Sequence, residues 1–339
     1  MSTLIIGDPH YKKSNKDETD QMEKAIIAYL DENDEDVTID RIVILGDILD
    51  THEKINLFAM KRAVDFLMKL SDYALVYVLI GNHDRPSNDV FLTEEHSLYP
   101  LKWRTDIIIV DQVMKDRDMI FVPYVEPGRF MEALETKGIK DDQLKSGKYK
   151  HIFAHQEFFG AQMGGFISQM GDKWDESYPP VISGHIHDYQ VLGNVTYVGT
   201  PYQTGYGDNP NKGIYLLPPH NEGRELEKIE LDIIQKIIVH LPIEEVLGYH
   251  FPEDKKVKLV IEGDAAEIRK AVNTTEYRRK LNGIKHSIKD IPKHILPDIG
   301  LIEGKKRIFS IPNLIKIVKS ECDDLEEEIL EQIFPTGDE

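Results

Sequence analysis

Five short apolar runs in this chain each lead straight into a polar cluster. Leu4-Ile5-Ile6 precedes Gly7-Asp8-Pro9-His10, Ile42-Val43-Ile44-Leu45 precedes Gly46-Asp47-Ile48-Leu49-Asp50, and Leu75-Val76-Tyr77-Val78-Leu79-Ile80 precedes Gly81-Asn82-His83-Asp84. Ile152-Phe153-Ala154 leads into His155-Gln156, and Val181-Ile182 leads into Ser183 and then Gly184-His185-Ile186-His187. Continuous apolar runs of this length read as buried strands. Side chains just past the carboxyl ends of neighbouring strands converge in space in an open α/β sheet. The repetition therefore points to one pocket assembled from five distant loops.

The spacing between the runs fits that reading. Residues 17–31 place Met22, Ile26, Ile27 and Leu30 on one helical side, and residues 55–70 do the same with Leu57, Phe58, Met60, Ala63, Val64, Phe66, Leu67 and Leu70. Strands alternating with helices favour an α/β fold. Further strands are expected at 107–110, 119–122, 152–154, 181–183, 195–199, 213–217 and 225–231. The fold expected is a two-sheet β-sandwich flanked by helices over residues 1–231. After residue 231 the pattern changes. Strands at 237–241 and 257–261 with short helices at 265–272 and 275–281 suggest a small α+β domain over 232–307. Apolar positions between 313 and 334 suggest a helical tail over 308–339.

Composition sets the outer limits. The chain has 339 residues with a formal net charge of −19, which argues against coating nucleic acid by bulk electrostatics. The charge is uneven: residues 250–320 hold sixteen Lys or Arg against nine Asp or Glu. That segment could face a polyanion, or simply be a solvated face. Cys322 is the single cysteine, so no intrachain disulfide can form and a reducing, cytoplasmic setting is expected. No apolar run approaches the length of roughly 18 residues that spans a bilayer, and no secretory signal is apparent.

The clusters offer carboxylate, imidazole and amide donors, a set suited to hard or borderline divalent ions. Asp8 and His10 sit two apart, as do His185 and His187, so an extended backbone places each pair on one side, while a turn would aim His185 and His187 at two different metals. Asp47 follows a glycine that permits a tight backbone, and one carboxylate can bridge two cations about 3.5–4 Å apart. Asn82 adds a neutral oxygen and His155 another nitrogen. Two such ions would lower the pKa of a bound water and neutralise phosphoryl oxygens. His83, beside Asn82, is the candidate proton donor to the leaving alkoxide, with Asp84 expected to orient its ring. His52 reads as a surface histidine. His96, His151, His220, His240, His250, His286 and His294 read as structural or solvent-exposed.

In order, these motifs (D-x-H, GD, GNHD, H and GHxH) resemble those of the calcineurin-like metallophosphoesterases, over about residues 3–200. Within that superfamily the chain is most similar to SbcD-type double-strand-break repair nucleases in their compact bacteriophage form. The supporting residues are Gly46-Asp47-Ile48-Leu49-Asp50-Thr51, His155-Gln156, and Tyr197-Val198-Gly199-Thr200-Pro201 after the GHxH motif. The resemblance implies Asp8, His10, Asp47 and His187 around one manganese ion and Asp47, Asn82, His155 and His185 around a second, with magnesium as the alternative metal. It implies His83 at the leaving group, a capping domain that positions DNA, a homodimer, and a tail that docks on an SbcC-type ABC ATPase. One departure is Asp50, where some cellular relatives carry histidine three residues after the bridging aspartate. No G-x-x-x-x-G-K-[ST] run is present, so an ATPase motor would be another chain.

The expected function is thus a manganese-dependent DNA exo/endonuclease subunit. Two alternatives stand beside it: a small-molecule phosphodiesterase using the same metals, and a DNA-end-binding subunit that regulates the ATPase. A serine/threonine protein phosphatase fits poorly, since Gly46-Asp47-Ile48-Leu49-Asp50-Thr51 departs from that group's GDxVDRG.

Overall fold

The computed structural model describes residues 2–32, 38–52, 54–219 and 226–291. The expected tail helix at 313–334 and residues 292–307 lie outside the described residues.

Strand β1 (Ser2–Ile6), helix α1 (Lys16–Glu32), β2 (Ile39–Ile44), α2 (Leu57–Leu70), β3 (Leu75–Leu79) and β4 (Ile107–Val110) alternate along the first third of the chain. Next come β5 (Met114–Asp116), β6 (Met119–Val122), two short helices α3 (Phe130–Glu135) and α4 (Asp141–Lys145), and β7 (His151–His155). The two-residue strands β8 (Gln162–Met163) and β9 (Phe166–Ile167) form a small hairpin. β10 (Val181–Gly184), β11 (Gln190–Leu192), β12 (Val195–Tyr197), β13 (Ile214–Leu217) and β14 (Glu227–Ile229) follow.

These strands build two six-stranded sheets, ordered β14-β13-β1-β2-β3-β4 and β11-β12-β10-β7-β6-β5. The centre of each is parallel; antiparallel strands close both edges of the second sheet and one edge of the first, whose other edge, β4, runs parallel to β3. Strand alternation explains the layering. Val43 and Leu45 pack between the sheets with Ile5, Tyr77, Phe121, Phe153 and Ile182, while Ile42 and Ile44 face outward onto α1 and α2. Tyr77, Phe121 and Phe153 stack in series across the interior, at ring separations of 4.6 and 5.2 Å. The second sheet buries its outer face under α3 and α4 through Phe130, Ala133, Leu134 and Leu144. The architecture is therefore helix, sheet, sheet, helix, as the alternation of the sequence suggests.

Helix α2 begins at Leu57, two residues later than its apolar spacing implies, because Asn56 caps it. The Asn56 side chain accepts from the amides of Phe58 and Ala59 at 3.1 and 3.2 Å, a contribution of about 1 kcal/mol. Arg62 on this helix reaches Asp20 and Glu23 of α1, tying the two helices together over the sheet.

A third sheet holds β15 (Gln235–Pro242), β16 (Lys255–Gly263) and β17 (Lys285–Asp290), all parallel, with α5 (Ala265–Val272) and α6 (Thr275–Lys280) connecting the last two. Its own core is Leu241, Val246, Leu259, Ile261, Ile268 and Leu281. Lys236 fastens it to the larger sheets. The Lys236 amide donates to Gln203 Oε1 at 2.7 Å, and Gln203 Nε2 donates back to the Lys236 carbonyl at 3.1 Å. The Lys236 and Lys256 ammonium groups then meet Glu18 of α1 at 3.0 and 3.1 Å.

Candidate metal centre

The seven candidate ligands all lie at or just beyond the carboxyl ends of parallel strands. Asp8 and His10 follow β1, Asp47 follows β2 and Asn82 follows β3, while His155 ends β7 and His185 and His187 follow β10. The first three strands belong to one sheet and the last two to the other, so the ligand sets meet across the sandwich. Reaching inward costs backbone strain. His10, Asp47 and His185 adopt φ of +46°, +48° and +80°, a region few non-glycine residues enter. Glycines in the ligand loops remove obstacles. A Cβ on Gly81 would lie 2.2 Å from Asp47 Oδ1, and one on Gly184 would lie 2.3 Å from Asp8 Oδ1.

Donor atoms converge in overlapping groups: Asp8 with His10 and His187, His10 with Asp47 and His83, and Asp47 with His155 and His185. Adjacent corners of an octahedron with metal–ligand bonds of about 2.1 Å lie roughly 3 Å apart. His10 Nε2 and His187 Nε2 are 3.0 Å apart, and Asn82 Oδ1 lies 3.0 Å from His155 Nε2 and 2.9 Å from His185 Nδ1. Asp47 Oδ2 stands between the two sets, 3.7 Å from His10 Nε2 and 3.5 Å from His155 Nε2. Asp8 Oδ1 is buried without a hydrogen-bond partner, which is costly unless a cation takes it. The donor chemistry and spacing fit a pair of divalent ions, with Asp47 placed to touch both.

Electrostatics favour ligation at His10 and His185. Burial, reinforced by neighbouring imidazoles, holds His10 and His185 down at about 3, so both rings are neutral with lone pairs free. Burial opposes charge on His155 too, but Asp47 and Asp8 outweigh it and push that ring up to about 9. Asp47 stays well below the ordinary carboxylate range, because His155 and His10 overcome its burial. Burial raises Asp8. Contacts behind the donors fix their orientation. His155 Nδ1 faces the Leu45 carbonyl at 2.7 Å, which turns Nε2 toward Asn82 and Asp47. The His185 amide donates to Asp8 Oδ2 at 2.8 Å.

His83 stands beside this cluster. Its amide donates to Asp47 Oδ1 at 2.8 Å, and its Nε2 lies 4.0 Å from Asp47 Oδ2. Two expectations need correction. Asp84 does not orient the His83 ring: its carboxylate accepts the amides of Ile48, Leu49 and Gly81 at 3.2, 3.0 and 3.0 Å, pinning two ligand loops together. The ring is held instead by the Asp50 carbonyl, 2.9 Å from Nδ1. His52 is not a free surface residue either. It stacks on His83 at 4.5 Å and 22°, because the loop after Asp50 folds back over the site.

Other supports left no mark in the sequence pattern. Asn15 Nδ2 donates to the His10 carbonyl at 2.7 Å, and the Tyr202 hydroxyl donates to the Pro9 carbonyl at 2.6 Å. Both brace the strained loop of His10, yet Tyr202 is remote in sequence and neither has the look of a motif. Lys212 Nζ similarly donates to the His187 carbonyl at 2.6 Å.

A family model described as calcineurin-like phosphoesterase matches residues 1–264. The phosphoesterase-named protein 078R of Invertebrate iridescent virus 3 is 34% identical over 321 residues, covering 92% of this chain and 90% of the relative. The similarly named 244L of Invertebrate iridescent virus 6 is 35% identical over 277 residues, covering 78% of this chain and 95% of the relative. Exonuclease subunit 1 of Enterobacteria phage T4 is 24% identical over 252 residues, covering 73% of this chain and 71% of the relative.

Proposed function

The chain belongs to the calcineurin-like phosphoesterase family, and from that premise we propose that it is a manganese-dependent DNA nuclease subunit. The observation carrying this reading is the convergence of five strand-end loops on two overlapping donor sets with His83 beside them. In it, Asp8, His10, Asp47 and His187 would hold one ion, and Asp47, Asn82, His155 and His185 would hold the other. The mixed imidazole and oxygen donors suit a first-row transition ion such as manganese better than magnesium, which prefers oxygen alone. Two such cations would supply Lewis acidity, lowering the pKa of a water and neutralising phosphoryl oxygens.

The remaining work falls to the chain. Asp84 keeps the Asp47 and Asn82 loops in register. The Asp50 carbonyl accepts the His83 Nδ1 proton, which directs Nε2 at the site, where it delivers a proton to the leaving alkoxide. Lys258 lies between the buried Val257 and Leu259, so it sits on the face of the third sheet away from its core. Lys285 pairs with Lys258, and Tyr206 lies beside Lys285. A basic, aromatic-bearing surface of this kind suits a nucleic-acid backbone, and the T4 relative is named an exonuclease subunit. Residues 232–307 would then position DNA, and residues 308–339 would dock on an SbcC-type ABC ATPase. Exposed Leu57, Phe58 and Met68 on α2 support a homodimer.

The test is cleavage of linear DNA and of bis(p-nitrophenyl) phosphate by purified protein with manganese, with and without His83→Ala. The wild type should cut DNA, and the variant should bind metal while losing about 10²–10⁴-fold in rate. Turnover of the small diester with none of DNA would favour the small-molecule phosphodiesterase instead.

A further inference from the structure

A cavity of about 300 Å³ opens beside His83, lined among others by His52, Arg85, Glu95, His96 and Ser97. Four buried polar atoms on its walls have no hydrogen-bond partner: His52 Nδ1, Arg85 Nη2, His96 Nδ1 and Ser97 Oγ. Such orphans are rare in a folded chain, and four around one cavity call for a ligand.

Arg85 indicates its charge. This residue is 2% exposed. Its Nη1 donates to the Tyr124 carbonyl at 2.7 Å and its Nε to the Ser87 carbonyl at 3.0 Å, leaving Nη2 unused. Among the described residues no carboxylate is paired with it within 4.0 Å, and the exposed Asp89 attracts it only from farther away. A guanidinium keeps its charge in proteins, and burying one without a counter-ion is costly. Arginine has donors alone, and the serine hydroxyl is free to donate as well. Of the two carboxylates on the wall, Asp84 is engaged by backbone amides, and Glu95 is exposed. Water would satisfy single hydrogen bonds but would leave the cationic charge facing only the distant, exposed Asp89. An oxyanion answers both.

We propose that this cavity is a second phosphate-binding subsite, in which Arg85, with Ser97 and His52, takes a phosphodiester adjoining the one being cleaved. The proposal rests on the nuclease reading, because only a polymeric substrate brings a second phosphate. The stacked His52 and His83 rings join the subsite to the proton donor, so an anchored phosphate would fix the leaving-group side of the strand.

Two measurements test it. Calorimetric titration of the chelator-treated full chain with inorganic phosphate should give binding that weakens about tenfold or more in Arg85→Lys and less in Ser97→Ala, as expected for a lost charge-assisted hydrogen bond. In the manganese-loaded protein, the ratio of kcat/KM on an oligonucleotide to kcat/KM on bis(p-nitrophenyl) phosphate, which has one phosphate, should fall about tenfold in Arg85→Lys. If that variant does not fold, Ser97→Ala decides, with a fall of severalfold expected. No phosphate binding by the wild type, or equal losses on both substrates, overturns the subsite. Wild-type inactivity on every oligonucleotide, with phosphate binding that still depends on Arg85, would retire the nuclease reading and leave the anion site standing.

Discussion

Replacing Gly81 by alanine tests how closely the centre is built. The added Cβ would sit 2.2 Å from Asp47 Oδ1 and 2.4 Å from the Asp47 backbone nitrogen. Rotating the aspartate side chain relieves only the first clash, so the loop itself must move by roughly 1 Å to reach ordinary van der Waals distance. Overpacking of this kind costs about 1–3 kcal/mol of stability. The functional loss should be larger in proportion. Asp47 lies between both donor sets, and a displacement of about 1 Å in a reacting constellation costs on the order of 10²-fold in rate. Gly81→Ala should therefore remain folded, with a lowered urea midpoint, while calorimetry with manganese shows both ions weakened together. Turnover of bis(p-nitrophenyl) phosphate should fall about a hundredfold. Gly165→Ala is the control, since a Cβ there meets nothing within 4 Å. Wild-type manganese stoichiometry and wild-type turnover in Gly81→Ala would refute the claim that Asp47 is shared.

Further outcomes can be checked on the same protein. Asp84→Asn leaves at least one of three backbone amides without its acceptor, so urea denaturation should show a loss of about 1–3 kcal/mol; an unchanged midpoint would mean the loops are held otherwise. Burial raises Glu18, but its contacts with Lys236 and Lys256 outweigh that and leave its carboxyl below the ordinary value of 4.5. Its stabilising effect is then complete above that value and is lost as pH falls through the depressed one. Glu18→Gln should narrow the difference in urea midpoint between pH 7 and pH 3, and identical pH profiles for the two proteins would contradict the assignment.

Much of the fold was legible because its strands are buried on both faces. Runs such as Ile42-Val43-Ile44-Leu45 carry a signal that needs no partner to interpret. Strand β17 shows the opposite case. Its residues Lys285–Asp290 hold one large apolar side chain, Ile288, and it is a strand only because β16 offers a free edge. Helices α3 and α4, of six and five residues, are too short to establish a period. At the centre, candidate donors stood out by type and spacing, and the fold brings them together. The partners of Asp84 and the stacking of His52 were not, since each depends on how a loop folds back across its neighbours.

The sequence alone determined the layered α/β plan and the donor types, because strand burial and ligand chemistry are local properties written into consecutive residues. Tertiary structure decided which atoms face one another: Asp47 between the two donor sets, the Asp50 carbonyl behind His83, and the orphaned Arg85 nitrogen beside it. Those relations join residues from separate strands and loops, and they exist only once two sheets have closed on a common core.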